Sequence, residues 1–594
     1  MINSFVFILS FGMCYVQILL AYKVERKSSF IQSIILCFMT QVCLGAIGAQ
    51  ILSVLHIYIN LVSMSIIYII IGLGMFVFSI RKRKIQKFLF DRVEILSFFI
   101  ICIGVGIVFL RVFTPDILLA YQNSDPAAHF EYAMKVVRTG RLSTMYFASL
   151  YNALIIEIGQ PFVATINCYK LFILADTTAN LLNAFMFYCV AEKICESRFA
   201  KLCLPFLTLL YFMGWPFFNY AIGGFVYFGW GVTIIMYVIY MLIELEESAE
   251  KRHRIILWAL IVIGCFCTLI CYMLFVPTLG VIVLCSFIRT VKAKGIRTDK
   301  RKIVIAIVGI LTMVGIAFLV AFYGFFGGDF KLLLHDLQVD GWIQNEPYKD
   351  FIYLLPVVIF MSINSHKSRK KHILYVAIAI VCGYITVTFI GCLCGIISSY
   401  YYYKEYYVLW FLSWLSCADG IDYMYRKDKV LLYVYMGVAV LISTITLLGI
   451  DTNSVLRERN LIPDKVMGGE NPAALSIYGR ANLFITQNRE DELKDKEAFF
   501  DMCQYLNTND NEDVPIMITS SNYMGKWFTA VTEGQRIWVY TREDFAWAID
   551  EIQKKKITRI IIHQNTENYR ENVDLINTLE CIYDNGYYGV YMIH

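Results

Sequence analysis

The stretch EILSFFIICIGVGIVFLRV at residues 94–112 runs without a break into FTPDILLAYQNSDPAAH at residues 113–129. Its charges, Glu94 and Arg111, stand at the two ends of an otherwise apolar run. As a helix such a run is about 30 Å long, the thickness of a bilayer's hydrocarbon core. No water is available there to satisfy backbone groups, so a spanning segment of this kind must be helical. The polar residues that follow mark the exit from lipid.

Working outward, similar runs recur from the N-terminus to about residue 450. Across its 594 residues the chain is 58% apolar and only 17% charged, with a mean hydropathy of +0.60. Soluble domains carry about 25% charged residues, so composition points to a membrane protein. Fourteen spans are predicted: 3–22, 30–54, 59–80, 94–112, 167–191, 202–221, 224–244, 255–273, 275–289, 303–325, 351–364, 373–397, 406–424 and 430–450. The first is read as a retained span, because its positive charges, Lys23, Arg26 and Lys27, follow it rather than precede it.

The loops after the odd-numbered spans hold 28 of the 37 Lys and Arg before residue 451. By the positive-inside rule those loops are cytoplasmic, which puts the N-terminus outside. The even span count then places residues 451–594 outside as well. Eight positive residues are expected on the outer side against this trend: Arg111, Lys135, Arg138, Arg141, Lys170, Lys331, Lys349 and Lys404. They are better candidates for anion contact than any inner-loop cation, which topology already explains.

Two polar outer loops stand out in the 1–450 membrane region, at 113–166 and 327–350. In the first, Asp125-Pro126 reads as a helix start, with Asp125 as N-cap and Pro126 at the first helical position. Phe130, Ala133, Met134 and Val137 follow at i, i+3, i+4, i+7, with Glu131, Lys135 and Arg138 opposite. This is an amphipathic helix expected to lie in the membrane interface, with Gly140 ending it. A carboxylate here, near cations and lipid, suggests chemistry on a lipid-phosphate substrate. His129, one turn after Asp125, and Glu131 are candidate supporting or metal-ligating residues, and a divalent cation is a candidate cofactor. In the second loop Asp329, Asp336 and Asp340 are candidates for a second acidic contact. Asp176 in the fifth span would cost about 2.5–3.5 kcal/mol at mid-bilayer, so it is expected to face the protein interior. Asp419 and Asp422 are expected to reach water at the inner end of span thirteen.

At the predicted mouth between spans twelve and thirteen lies Tyr400-Tyr401-Tyr402-Tyr403-Lys404-Glu405-Tyr406-Tyr407. An aromatic belt explains interfacial tyrosines in general, but six around one lysine exceed what anchoring needs. The last 144 residues differ in character, with 15 Lys+Arg against 23 Asp+Glu. Helix-like segments at 488–506 and 542–556 and strand-like runs at 514–519, 536–540, 557–563 and 587–593 suggest a small α/β domain. Of the 18 cysteines only Cys503 and Cys581 share that domain, and a disulfide between them is one alternative. No P-loop, dinucleotide fingerprint, zinc-protease helix or nucleic-acid signature is present.

The pattern Asp125-x3-His129-x3-Ala133-x6-Gly140, in the first large outer loop and followed by further spans, resembles the first exoplasmic loop of GT-C superfamily glycosyltransferases. These polytopic enzymes transfer a sugar from a polyprenyl-phosphate donor to an acceptor on the far side of the membrane. The resemblance implies an inverting glycosyl transfer with Asp125 as catalytic base, or as a metal ligand as in some branches. Lys404, Arg138 and Arg141 would then bind the donor phosphate, and Tyr401, Tyr403 and Tyr407 would contact sugar or prenyl chain. Implied partners are the polyprenyl-phosphate sugar, a cell-envelope glycan or lipid-linked acceptor, and membrane lipids, with no nucleic acid. Two features depart from many members. Ser124-Asp125-Pro126 stands where they carry adjacent acids, and three spans precede the one leading into the loop. A surface-polysaccharide polymerase or ligase, a lipid-glycan transporter and a non-catalytic assembly protein are the alternatives.

Overall fold

The computed structural model describes residues 1–293 (apart from 26–28, 81–89, 122, 143–146 and 249), 354–447 (apart from 366–368 and 428), 490–509, 516–518, 522–532, 538–540 and 558–592. It also describes Lys331, Phe351, Ala481, Phe484, Ile485 and Lys554. The expected tenth span, the 327–350 loop acids Asp329, Asp336 and Asp340, and the helix at 542–556 lie outside the described residues.

The protein is a multi-pass α-helical membrane protein. Helices α1 (Ile2–Glu25), α2 (Phe30–Val54), α3 (Leu61–Ile80) and α4 (Arg92–Phe113) match the first four predicted spans. After the polar loop come α5 (Asp125–Thr139) and α6 (Phe147–Gly159), then α7 (Cys168–Ile194), α8 (Arg198–Met213), α9 (Val226–Glu247), α10 (Lys251–Cys271) and α11 (Val276–Ala293). The last membrane helices are α12 (Leu355–Ser365), α13 (Arg369–Leu393), α14 (Ser399–Lys427) and α15 (Lys429–Leu447). Among the described residues eight helices are long and apolar enough to cross a membrane, or nine if one bent pair counts as a single span. The bent pair is α8 and a π-helical turn at Pro216–Ile222, which meet at 56°. Span six is therefore broken, and the cause is Pro216 after Gly214, where the helical ladder loses a donor.

The sheet of the C-terminal unit has strands β1 (Ile516–Ile518), β2 (Trp538–Tyr540), β3 (Arg559–His563), β4 (Glu580–Asp584) and β5 (Tyr588–Met592), in the order β2-β1-β3-β5-β4. The first three are parallel and the last two antiparallel to their neighbours. Helices α16 (Glu490–Thr508) and α17 (Asn522–Val531) accompany it. Both Cys503 and Cys581 are free thiols, the first buried and the second exposed, so they are not paired.

This unit packs on the membrane helices through aromatic rings. Phe500 stacks on Tyr169 at 3.8 Å, and Trp527 lies against Phe130 at 5.9 Å and Tyr121 at 6.2 Å. The apolar face of α5 is accordingly covered by protein rather than resting on lipid alone. Phe130, Ala133 and Met134 are buried and Glu131, Lys135 and Arg138 face outward as the periodicity predicts, whereas Val137, the fourth residue of the predicted stripe, is half-buried and its neighbour Val136 is buried instead.

The opposite end of the bundle holds a correction. Asp419 and Asp422 do not reach water; both are fully buried. Asp419 accepts from Lys371 and, at 2.6 Å, from the Tyr375 hydroxyl. Asp422 accepts from the Ser197 and Glu196 backbone N–H groups at 2.8 and 3.2 Å and pairs with Arg426 at 3.0 Å. It thus tethers the start of α8 to α14, and desolvating these charges is offset by several simultaneous hydrogen bonds.

The far end of α5 is fixed by Gly140, whose φ of +60° closes the helix in the left-handed region. Its carbonyl accepts from the Ile59 N–H at 2.8 Å, and an added Cβ would meet Tyr58 Cδ1 at 2.5 Å. Gly140→Ala should therefore lower stability by about 1–3 kcal/mol, a left-handed penalty of 1–2 kcal/mol plus the clash. Gly106→Ala, which meets nothing within 4 Å, is the matched control. Thermal unfolding followed by tryptophan emission should show a clear loss of Tm for the first only.

Candidate functional site

Asp125 opens α5, but not as its cap. Ser124 occupies the N-cap, Asp125 is the first helical residue and Pro126 the second. The Asp125 N–H donates to Asn123 Oδ1 at 3.3 Å. Its carboxylate is thereby released from the capping role that the sequence suggested, and it stands half-buried at the end of the bundle that carries the C-terminal unit. The approach to it is strained: Thr114 and Ile117, both β-branched, adopt φ of +61° and +54°. Such conformations cost on the order of 1–3 kcal/mol each and persist only where surrounding structure imposes them.

What imposes the position of Asp125 is the segment Gly223-Gly224-Phe225-Val226-Tyr227-Phe228, which leads from the π-helical turn into α9. Gly224 has φ +71°, and a Cβ there would fall 2.1 Å from Pro126 Cγ. Only glycine serves both needs. Three residues on, Tyr227 packs its ring 4.4 Å from that of His129. Burial drives the His129 pKa down to about 3, so this imidazole is neutral at any physiological pH.

Phe225 and Phe228 turn to Lys404. This lysine is 7% exposed, and its ammonium lies 4.4 Å from the centroid of Phe228, 4.7 Å from Tyr400, 5.3 Å from Phe225 and 5.9 Å from Tyr407. Four ring faces around one cation replace part of its lost hydration, each worth about 0.5–2 kcal/mol. The tyrosine run is not a loop mouth, because α14 already begins at Ser399 and residues 400–407 lie on its first two turns. Helical spacing explains the selection: Tyr400, Lys404 and Tyr407 share a face, and Tyr403 packs on Trp215 at 5.5 Å. Tyr407 also touches Trp215 at 4.5 Å and Phe228 at 4.6 Å, while Tyr401 sits beside Tyr400 outside the cage.

Asp125 and Lys404 act on each other without forming an ion pair within 4.0 Å among the described residues. Burial raises the Asp125 pKa above its ordinary value, while Lys404, the Ser124 hydroxyl and Lys526 of α17 pull it back. Beneath the site, Asp176 is buried as expected. It accepts from Tyr121 at 2.6 Å and from Asn152 at 3.0 Å, and Tyr121 in turn stacks on Trp527.

Other predicted residues are placed elsewhere. Arg138 lies in the last turn of α5, about 20 Å from Asp125 at 1.5 Å per residue, Arg141 follows the Gly140 cap, and Glu131 is exposed on the outer face of the helix. Among the described residues no three His, Cys, Asp or Glu side chains gather as a metal site. Asp125 has cations as its electrostatic partners among the described residues, and the His129 ring lies against Tyr227. Unforeseen contributors are Gly224, Phe225, Phe228 and Lys526. For α17 a signal existed: Met524, Trp527, Phe528 and Val531 fall at i, i+3, i+4, i+7 and are all buried.

No family model matches the chain, and no curated protein matches it either. Among the solved structures that match are two of ArnT from Cupriavidus metallidurans. One is bound to undecaprenyl phosphate, with 11% identity over 84% of this chain and 98% of that one and a TM-score of 0.47. The other is in the apo state, with 10% identity over the same shares and a TM-score of 0.49.

The electrostatics fix a sign. The Asp125 carboxylate should titrate above the 3.8 of a free aspartate, read as the infrared band lost in Asp125→Asn. Removing a cation removes support for the charged form, so Lys404→Gln should move the midpoint further up. A midpoint at or below the free value, or a downward move in Lys404→Gln, contradicts this electrostatic picture.

Proposed function

We propose that this chain is a GT-C-type membrane glycosyltransferase. In this reading it moves a sugar from a polyprenyl-phosphate donor to a hydroxyl of a cell-envelope glycan or lipid-linked acceptor. The observation that carries the reading is the pairing of Asp125, in the loop that resembles the first exoplasmic loop of that superfamily, with a lysine held in a dry aromatic cage. The asymmetry of Lys and Arg between alternate loops supports placing this end of the bundle, and residues 451–594, outside the cytoplasm.

The chemistry follows from what each group does. Glycosyl transfer needs a base for the acceptor hydroxyl and a cation for the departing phosphate. The acceptor oxygen bonds to the anomeric carbon from the face opposite the phosphate. The bond from that carbon to the phosphate oxygen breaks, and its electron pair stays on the phosphate. Asp125 takes the hydroxyl proton. Its raised pKa makes it a stronger base than a solvated aspartate, and a single displacement of this kind inverts the anomeric centre. Lys404 holds the donor phosphate as a point charge, and exclusion of water by Phe225, Phe228, Tyr400 and Tyr407 strengthens that pull. Tyr403 and Tyr407, buried against Trp215, serve the packing of the cage. Arg138 and Arg141, remote from Asp125, are assigned here to lipid headgroups.

The test is the envelope-glycan profile of a deletion strain complemented with wild type, Asp125→Asn or Lys404→Gln, with membrane levels of each protein checked. Wild type should restore one specific sugar branch, and each variant should lose transfer by about 100-fold or more, the range for removing a positioned acid–base group or a charge stabiliser. Full rescue by Asp125→Asn would overturn the catalytic assignment. Sidedness is checked by labelling single introduced cysteines: a cysteine at position 296 should resist an impermeant reagent in intact cells, and one in the C-terminal unit should react.

A further inference from the structure

Trp527 brings α17 to Asp125 from both directions along the chain. Its ring packs on Tyr121, four residues before Asp125, and on Phe130, five residues after it. The helix therefore lies across the turn on which the carboxylate stands. Lys526 precedes Trp527, so it projects about 100° around α17 from that anchor, and it is exposed. Its charge acts on the Asp125 carboxylate, as does that of Lys404.

Charge accounting, which rests on the transfer reading above, gives this second cation a task. Before transfer the donor phosphate is a diester with one negative charge, and Asp125 carries another. When the acceptor proton moves to Asp125 and the sugar leaves, Asp125 becomes neutral. The phosphate becomes a monoester carrying between one and a half and two negative charges near pH 7. One negative charge has thus moved from the carboxylate to the phosphate. Lys404, fixed in its cage, is in this reading the cationic partner of the phosphate both before and after transfer. Lys526, on a flexible exposed side chain, is released by the neutralised carboxylate at the moment the second phosphate charge appears.

We propose that Lys526, brought by the docked helix of the C-terminal unit, is the second cation of the site and binds the polyprenyl phosphate monoester that transfer produces. The C-terminal unit is then part of the product site. It would favour the leaving group over the donor, because the monoester has the additional charge that Lys526 answers.

The test uses full-length protein in lipid nanodiscs and three probes: a short-chain polyprenyl phosphate, its methyl phosphodiester, and phosphatidic acid. Lys526→Gln should weaken the monoester by about tenfold and the diester by less than about threefold, while Lys526→Arg retains monoester binding. Lys404→Gln should weaken both prenyl probes. An equal loss of the two prenyl probes in Lys526→Gln, or no loss of either, overturns the assignment while leaving the transfer reading in place. A loss on phosphatidic acid as large as on the prenyl monoester would make Lys526 a general headgroup contact, and also overturns it. Failure of the wild type to bind either prenyl probe sinks the transfer reading, and this inference with it. Because Lys526 is exposed, the variants should fold; thermal unfolding in the same nanodiscs checks this.

Discussion

The interrupted sixth span is the constraint on which the site depends. Non-helical backbone at membrane depth survives only where protein or water satisfies it. Here Pro216–Ile222 form a π-helical turn, Asn219 returns a hydrogen bond to the Trp215 carbonyl at 3.3 Å, and nearly every side chain of the turn is buried. The turn ends in Gly223-Gly224, and there the chain is close enough to Pro126 to exclude any side chain. A straight helix through this region would carry Phe225 and Phe228 away from Lys404 and leave α5 without a seat. The break sets the backbone of α5, the ring that flanks His129 and two walls of the lysine cage together.

Charge is handled differently at the two ends of the bundle. At one end Lys371, Asp419, Asp422 and Arg426 neutralise one another through direct contacts, with Tyr375 and two backbone N–H groups filling the remaining acceptor positions. Such a cluster is complete and fixes α8, α13 and α14 in register. At the other end Asp125 and Lys404 sense each other without closing a contact, and rings stand where counter-charges would otherwise be. A buried cation whose nearest described partners are aromatic rings still favours an anion, since cation–π attraction restores only part of its hydration. The same low-dielectric packing therefore yields a brace in one place and an anion-binding position in the other.

Sequence patterns revealed what repeats along one element and missed what depends on two elements meeting. Long apolar runs gave the membrane helices, and the i, i+3, i+4, i+7 pattern of Phe130, Ala133, Met134 and Val137 gave α5 with its glycine stop. The identity of its cap was misread: Asp and Ser are both good caps, and only backbone geometry tells which of Ser124 and Asp125 holds that place. Lys404 was singled out by its tyrosines, yet half its cage, Phe225 and Phe228, is far away in sequence. Asp419 and Asp422 looked terminal because α14 is longer than an apolar run can disclose. Strand β4 escaped notice because Glu580-Cys581-Ile582-Tyr583-Asp584 is a mostly exposed edge with little apolar alternation. Helix α17 was legible in its spacing, but its importance lies in Trp527 meeting Phe130, a contact between residues almost four hundred positions apart.

The three helices before α4 belong to the same argument. They depart from the arrangement common among the proteins that this loop resembles, and they could pass for an appendage. The α2–α3 connection shows otherwise. Ile59 donates to the Gly140 carbonyl at 2.8 Å, and Tyr58 packs where a side chain on residue 140 would be. Leu61 at the start of α3 donates to Glu157 of α6 at 3.0 Å. Burial raises the pKa of Glu157 to about 7, so this link can lose its charge near neutrality without losing the carboxyl that receives the N–H. Helix α5 is thus seated at its start by Gly224 and Trp527 and at its end by the α2–α3 turn. A fifteen-residue helix is marginal by itself in water. Clamped at both ends, it can hold Asp125 in a fixed relation to Lys404 although the two are carried by different parts of the chain.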